Sequence, residues 1–241
     1  MSRLAIAVGA LVLAVAAHTD ARQRGNMRPE RVPDAGVVNG VPQGMFVGRS
    51  LLSGRAVCLL FLSGGRATRF IPEGGLENFD WAAHLTAHGP DSGRWEMRGN
   101  QLAIAWGDGG VHQGPLTVRP EGIEFYGKRY TKPVSVPLTA IAGQWESARG
   151  TAIAGGSGIN VASSLVVQPD GHYQWMSTTG GTVAGRATAT EATMRGTVTV
   201  KGLTIVFTPD KGAATSHTFL PVAGSPTSAF SVDANMFTRR E

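Results

Sequence analysis

The sequence of 241 residues contains a single cysteine, Cys58. One thiol excludes an internal disulfide framework, and it excludes zinc sites built on several cysteine ligands. Cys58 stands between Val57 and Leu59 in an apolar run, and no adjacent basic residue would lower its pKa. We therefore interpret it as a small buried hydrophobic residue rather than a nucleophile.

Charged residues are also scarce, at 16% of the chain, and the net charge is only +5. The basic residues form no stripe or cluster of the kind that a nucleic-acid backbone requires. Part of the positive excess belongs to a short segment near the N-terminus that contains Arg22, Arg24, Arg28 and Arg31. We therefore expect no nucleic-acid partner.

No apolar run reaches the ~20 residues that a membrane-spanning helix needs. The longest follows Arg3 and extends from Leu4 to Ala17. Small residues come after it, with a Thr19-Asp20-Ala21 cleavage pattern and Ala14-Val15-Ala16 as an alternative. This order is typical of a secretory signal peptide. We expect residues 1–21 to be a cleaved signal peptide and residues 22–43 to form a disordered linker. The mature protein would then be secreted or periplasmic, without a transmembrane segment.

Glycine, by contrast, is abundant at 33 residues, and the chain from residue 44 onwards repeats itself. We infer an internal repeat of two copies, residues 44–133 and 140–241, which open at Gly44 and Gly143. The matched segments are Leu59–Gly65 with Leu165–Gly171, Gly93–Met97 with Gly196–Val200, and, after a two-residue difference in the turn, Leu102–Trp106 with Leu203–Phe207.

Inside each copy, apolar and polar residues alternate with a period of two, which is typical of half-buried strands. Turns such as Pro169-Asp170-Gly171 separate the runs. We therefore predict an all-β fold of two tandem antiparallel meander units, each a small barrel or a sandwich of about six to eight strands. Trp95 should lie over Val198, and Trp106 over Phe207, on inward faces.

One segment of the first copy departs from the strand pattern. Residues 78–88 contain helix formers without Gly or Pro, which predicts one short helix capped by Asn78 or Asp80. The helix would place Asp80, His84 and His88 on roughly one face. Two histidines four residues apart can ligate a metal, and imidazole can act as a general base; the alternative is a solvated polar stripe. The second copy has a Gly- and Thr-rich stretch here, residues 178–190, which we expect to be flexible.

The Gly143-x-Trp145 triplet at the start of a meander resembles the first strand of lipocalins and related calycin barrels. The resemblance implies that Trp145 closes one end of a barrel beneath an arginine of the last strand, Arg239 or Arg240. In the first copy Phe46 takes the place of the tryptophan. The basic partner there would be Arg129 or Lys132. The resemblance also implies binding of a small apolar molecule, which an eight-stranded barrel can just accommodate.

Inward aromatic and branched residues are the candidates to line such a pocket. The first copy has two tryptophans where the second has valine and phenylalanine, so we expect the ligand in the second copy, reached near residues 178–190. The predicted ligand-binding residues are Trp175, Val198, Val200, Phe207, Trp95 and Trp106.

These features together predict a secreted or periplasmic β-barrel-type binding protein for a small apolar ligand or an envelope partner. We expect neither a cofactor nor a metal. Two alternatives stay open at this point. One is a barrel-type enzyme that uses Asp80, His84 and His88, and the other is a structural envelope protein without a pocket.

Overall fold

The computed structural model describes residues 28–49, 56–153, 157–183, 186–222, 225, 227–233 and 235–240. The predicted signal peptide, residues 1–21, lies outside the described residues. Within them the chain forms 17 strands and one α-helix, α1 (Trp81–His88), so the all-β fold with one short helix is confirmed. Among the described residues no helix has the length and hydrophobicity to cross a bilayer.

The first unit is a closed antiparallel barrel of eight strands. Val47 in its first strand pairs with Thr131 in its last, which closes the barrel. The strands are β2 (Val41–Arg49), β3 (Ala56–Leu62), β4 (Arg66–Thr68), β5 (Ser92–Arg98), β6 (Gln101–Trp106), β7 (Val111–Arg119), β8 (Gly122–Phe125) and β9 (Lys128–Thr131). A short additional strand, β1 (Gly36–Val38), pairs with the start of β2.

The second unit is also a closed antiparallel barrel of eight strands. Trp145 in its first strand pairs with Arg239 in its last. The strands are β10 (Gly143–Ile153), β11 (Ser157–Val167), β12 (His172–Val183), β13 (Arg186–Lys201), β14 (Thr204–Pro209), β15 (Thr215–Pro221), β16 (Ala229–Val232) and β17 (Asn235–Arg239). Residues of the predicted flexible stretch 178–190 belong to β12 and β13, so in the structure they extend the sheet.

The predicted disorder of the linker is wrong for residues 28–43; residues 22–27 lie outside the described part of the chain. β1 forms a hairpin with β2 through an Asn39-Gly40 turn, and both turn residues have positive φ. Further upstream, Glu30 pairs with Phe79 in an isolated bridge, and the buried Val32 donates its N–H to the Leu76 carbonyl. Long-range contacts order this segment, and local hydrophobic periodicity does not reveal such contacts.

The repeat is visible in the strand registers. Phe46 pairs with Leu59 in the first barrel, and Trp145 pairs with Leu165 in the second, so the two openings are equivalent. At the next turn, Gly65 and Gly171 both have positive φ. A Cβ atom on Gly65 would meet the Trp95 carbonyl, and one on Gly171 would meet the Val198 carbonyl. Trp95 and Val198 therefore occupy matching positions, as predicted.

The predicted match of Trp106 with Phe207 is wrong. The β5–β6 hairpin and the β13–β14 hairpin both turn through two residues, with no length difference between them. Phe207 therefore matches Ile104, and Trp106 matches Pro209. The sequence comparison failed because Leu203 resembles a strand residue but lies in the turn, where it packs outside the barrel.

Each barrel has its own apolar interior. The largest residues of the first interior are Phe46, Phe61, Trp106, Phe125 and Tyr130. Those of the second interior are Trp145, Tyr173, Phe207, Phe219, Phe230 and Phe237.

A third apolar cluster lies outside the first barrel, against the outward face of β2 and β3. Leu59 and Phe61 of β3 face the barrel interior, whereas Cys58, Leu60 and Leu62 face this outer cluster. The segment around α1 covers the outer face with Phe79 and Trp81, among others. Because both faces of β3 are buried, its sequence is a continuous apolar run instead of an alternating one. Burial raises the pKa of the Cys58 thiol, as expected for an unreactive residue.

The second barrel packs against the same outer cluster. Leu203 and Leu220 join it from the second barrel. The backbone N–H of Leu76 donates to Thr204 Oγ1 at 2.9 Å, and Lys201 Nζ lies 3.0 Å from Glu77 Oε2. The two barrels therefore share a desolvated contact in addition to the short connection between β9 and β10.

The closed end of the second barrel is formed by Trp145, which is completely buried. Its indole N–H donates to the Ile141 carbonyl at 2.7 Å, and the Arg239 guanidinium lies 4.7 Å from its ring centroid. Of the two arginines suggested by the resemblance, Arg239 therefore makes the contact. In the first barrel, Lys132 donates instead to the Pro120 carbonyl, and Arg129 is exposed.

Candidate functional site

The second barrel is asymmetric along its axis. Its first four strands contain 11, 11, 12 and 16 residues, whereas its last four contain only four to seven. The extra length of β10–β13 lies at the end opposite Trp145 and Arg239. These four strands therefore form a wall that continues past the packed core at this open end.

Cross-strand neighbours on the inner face of this wall form successive layers, because side chains on one face of a strand recur every second residue. The layer nearest the core consists of Trp145, Leu165, Trp175 and Met194. The next layer towards the open end consists of Ser147, Ser163, Ser177 and Ala192. The inner face of the wall therefore changes from large apolar residues to small and mostly hydroxylated ones between one layer and the next.

A cavity of about 240 Å³ occupies this transition. Trp175 forms its floor, and the indole packs edge-on against Phe207 and Phe237, with ring centroids 5.2 and 5.5 Å apart. Edge-to-face contacts of this kind hold an aromatic ring in one orientation. The lining residues are Ser147, Val161, Ser163, Trp175, Ser177, Met194, Asn235 and Phe237.

The lining is polar but uncharged. Three hydroxyl groups and the amide of Asn235 can each donate and accept hydrogen bonds. None of the lining residues carries a formal charge, so a charged ligand would lose its hydration without gaining a counter-charge. The cavity therefore suits a neutral molecule that has apolar surface for Trp175 and Phe237 and polar atoms for the serines.

Of the predicted ligand-binding residues, only Trp175 lines this cavity. Val198 and Phe207 are buried in the core beneath it, and Val200 packs against that core. The candidate cavity therefore lies further towards the open end than Val198, Val200 and Phe207. The Trp175 ring packs against this core, in contact with Phe207 and Phe237.

Trp95 and Trp106 lie in the first barrel and take part in packing. The Trp95 indole donates to the Arg66 carbonyl and contacts Phe61 edge-on. Trp106 is buried, and its indole donates to His112 Nδ1 at 3.2 Å. Both rings therefore hold the first barrel together in the structure.

A charged cluster of Arg69, Asp91 and Asp108 covers Trp106. It lies at the end of the first barrel that corresponds to the open end of the second. The Arg69 guanidinium lies 5.1 Å from the Trp106 ring centroid. It is held by Asp91 at 2.8 Å and by Asp108 at 2.6 Å. Hydrogen bonds from the Gly110 N–H and from Arg69 lower the pKa of Asp108, which favours its ionised form.

The residues of the alternative enzyme site do not converge on one point. Asp80 caps α1, since its Oδ1 accepts the Ala83 N–H. His84 is buried against Phe79 and Trp81 and lies 2.9 Å from Thr68 Oγ1 through Nε2. Burial and the neighbouring His88 lower the pKa of His84 to about 4.

His88 stacks on Phe70 at 3.6 Å, and its ring lies 5.0 Å from that of His84. Among the described residues, no group of three or more His, Cys, Asp or Glu side chains is arranged to hold a metal ion. His84 packs against Phe79 and Trp81 of the outer cluster, whereas His88 packs on Phe70, so both rings take part in packing.

A larger depression of about 600 Å³ lies over the same four strands. Most of its lining residues belong to the outward face, including Glu146, Met176 and Glu191, which are exposed. It contains no aromatic side chain, and most of its other residues are alanine, serine or threonine. The smaller cavity has the rigid aromatic floor, so we take it as the candidate site.

The serines and Asn235 were missed by reasoning from the sequence. Their one signal is spacing, because Ser163 and Ser177 stand two residues from Leu165 and Trp175 and so share their face. Only the strand register brings the serines of three different strands into one row.

A search against protein-family models finds no match, and a search of curated proteins finds no significant match. The functional argument therefore depends on the geometry of the site.

Proposed function

We propose that the second barrel binds a small uncharged molecule that has both an apolar part and hydrogen-bonding atoms. The observation that carries this proposal is the cavity above Trp175, in which an aromatic floor faces a row of three serines. The sequence alone suggested an apolar ligand. The hydroxyl-rich lining favours a ligand that also carries polar atoms, because a serine hydroxyl left without a partner would weaken binding.

The size of the cavity restricts the ligand further. Drug-sized ligands usually occupy pockets of about 300–1,000 Å³. A volume of about 240 Å³ lies below that range and suits a molecule with a single ring, or one end of a longer molecule that extends out of the open end.

The proposed location of this binding module is the periplasm or the exterior of the cell. The basic start, the apolar run and the Thr19-Asp20-Ala21 pattern support export. N-terminal sequencing of protein from its native host should begin near Arg22. Cytoplasmic protein that retains Met1 would contradict this location.

The proposed relationship to lipocalin-like barrels is supported by the closed end. Arg239 over Trp145 is the contact that the Gly143-x-Trp145 resemblance implied. A binding site at the opposite, open end agrees with that architecture. Eight strands leave an interior just wide enough for side chains or one small ligand.

Calorimetric titration with three single-ring probes of similar size tests the proposal. Benzyl alcohol should bind, whereas benzoate and benzylamine should bind at least about tenfold more weakly, because their charges find no partner in the cavity. Ser163→Val should weaken the binding of benzyl alcohol by about 2- to 12-fold, the effect of one hydrogen bond worth about 0.5–1.5 kcal/mol. Ser177→Trp should abolish binding by filling the cavity.

Ser164→Val is the matched control, because Ser164 neighbours Ser163 in β11 but faces the other side of the sheet. It should leave the affinity for benzyl alcohol unchanged. If benzyl alcohol fails to bind, or if it binds equally well to the Ser177→Trp variant, the cavity is not the site. The structural envelope role would then be the better proposal.

A further inference from the structure

Three polar side chains form a hydrogen-bonded row at the open end of the second barrel. His217 Nδ1 lies 2.8 Å from Asp233 Oδ2, and His217 Nε2 lies 3.1 Å from Thr215 Oγ1. The second carboxylate oxygen of Asp233 accepts the Thr218 N–H at 2.9 Å. The carboxylate is therefore held between the backbone and the imidazole.

The chemistry of these groups determines where the protons lie. A carboxylate only accepts hydrogen bonds, so Nδ1 of His217 carries the proton that is donated to Asp233. In the neutral ring, Nε2 is then an acceptor, and the Thr215 hydroxyl donates to it. A hydroxyl that donates to an imidazole, which in turn donates to a carboxylate, has the arrangement of an activated nucleophile.

The row is accessible and lies close to the cavity floor. Thr215 is exposed, and the side chains of His217 and Asp233 are 28% and 17% exposed. The His217 ring packs against Phe207 at 5.8 Å, and Phe207 in turn packs against Trp175. One aromatic ring therefore separates the base from the floor of the cavity.

The barrel framework does not by itself require these residues. The hairpin registers match Thr215 and His217 with His112 and Gly114 of the first barrel, and Asp233 with Tyr126. Tyr126 and Asp233 share the same unusual positive φ, of 52° and 51°. The turn geometry is thus common to both barrels, whereas, among the described residues, the matching positions of the first barrel carry no such hydrogen-bonded row.

We propose that Thr215, His217 and Asp233 form an acyl-transfer site that hydrolyses small uncharged carboxylic esters. The choice of an uncharged ester depends on the proposed function of the cavity, whereas the identity of the nucleophile does not. Thr215 and His217 are the catalytic residues, and Asp233 is a positioning residue that keeps the proton on Nδ1.

The reaction proceeds in two balanced halves. Thr215 Oγ1 attacks the ester carbonyl carbon, and its proton passes to His217 Nε2. The bond to the leaving alcohol breaks, the alcohol takes that proton, and the acyl group remains on Thr215. Water then attacks the acyl group and gives a proton to His217 Nε2. That proton returns to Thr215 as the carboxylic acid leaves.

Hydrolysis of p-nitrophenyl acetate by the full chain tests this proposal, together with intact-mass and peptide analysis. Thr215→Ala and His217→Gln should lower the rate by about 100-fold, the usual contribution of a positioned base. Thr215→Ser should retain measurable activity where Thr215→Ala does not, because its primary hydroxyl can donate to the same imidazole. Asp233→Asn should lower kcat but leave KM unchanged, which a merely structural role would not produce.

A mass increase of one acetyl group on the peptide that contains Thr215 should accompany turnover. Thr199→Ala, which removes an exposed threonine of β13, is the matched control and should keep the wild-type rate. Circular dichroism should show that every variant is folded.

Equal rates for the wild type and Thr215→Ala, or acetylation confined to other residues, would overturn the proposal. These outcomes are independent of the benzyl alcohol titrations, so failure of the catalytic site and failure of the cavity can be distinguished. If the protein binds benzyl alcohol but does not form the acyl-threonine, the result supports the binding function and contradicts the catalytic one.

Discussion

The two barrels share one end and differ at the other. At the shared end, Phe46 and Trp145 are completely buried at matching positions of the first strand. At the other end, β4 stops at Thr68, and the chain then leaves the first barrel, so that Ile71, Leu76, Phe79 and Trp81 cover its outer face. In the second barrel, β12 continues to Val183 and becomes part of a wall.

The residue that follows Thr68 shows how this difference closes one barrel and leaves the other open. Arg69 matches Trp175, because the turns before them align at Gly65 and Gly171. Arg69 seals the first barrel over Trp106 through its ion pairs with Asp91 and Asp108. Trp175 instead forms the floor of a cavity. A repeated framework can therefore keep its packed end and acquire a site at the other.

The most severe test of the equivalence of the two barrels is a glycine that occupies matching positions in the β5–β6 and β13–β14 hairpins. A Cβ atom would overlap the Ala105 carbonyl oxygen at Gly93 and the Thr208 carbonyl oxygen at Gly196. Because the opposite atom is backbone, Gly93→Ala and Gly196→Ala should each lower the free energy of unfolding by about 3 kcal/mol in urea titrations. Gly114→Ala, which meets no atom within 4 Å, is the control. A large effect in only one barrel would break the comparison.

Acid should weaken the first barrel through His84. The pKa of His84 is lowered from 6.5 to about 4 by burial and by His88. As the pH falls below 6.5, the unfolded chain binds a proton that the folded chain does not, so stability is lost down to about pH 4. The expected loss is about 2–3 kcal/mol. His84→Gln should flatten the dependence of unfolding free energy on pH over this interval, whereas an unchanged slope would contradict this cause.

Filling the second barrel at its two ends should give different results. Val200 packs against the core, so Val200→Trp should cost about 1–3 kcal/mol. Ser177 lines the cavity, so Ser177→Trp should cost less than about 1 kcal/mol. Thermal unfolding of the two variants side by side measures the difference. A Ser177→Trp variant that is as unstable as Val200→Trp would show that no free volume exists above Trp175.

The smallest expected effect concerns the contact between the barrels. Lys201 is mostly exposed, so its ion pair with Glu77 should contribute less than about 1 kcal/mol. Lys201→Ala should therefore leave the unfolding midpoint nearly unchanged. Leu203→Ala, which removes apolar surface from the shared cluster, should lower the midpoint more. The reverse order would mean that charge, and not apolar packing, holds the barrels together.

Much of the fold could be predicted from local patterns. Period-two alternation located the strands, the Pro169-Asp170-Gly171 turn separated two of them, and Asp80 capped the one helix as expected. The site was harder to predict. Val198 and Phe207 face inwards as expected, but whether an inward residue fills a core or lines a cavity depends on the neighbouring Trp175 ring.

The amino-acid sequence by itself determined the class of fold, the repeat and the burial of Cys58, because these follow from periodicity, turn chemistry and hydrophobicity along the chain. Only the tertiary structure decided the closure of each barrel, the order in residues 28–43, and the rows that bring serines, or Thr215, His217 and Asp233, together. These features depend on strand register and on contacts between distant residues. A shift of one residue would turn every such side chain to the other face of the sheet.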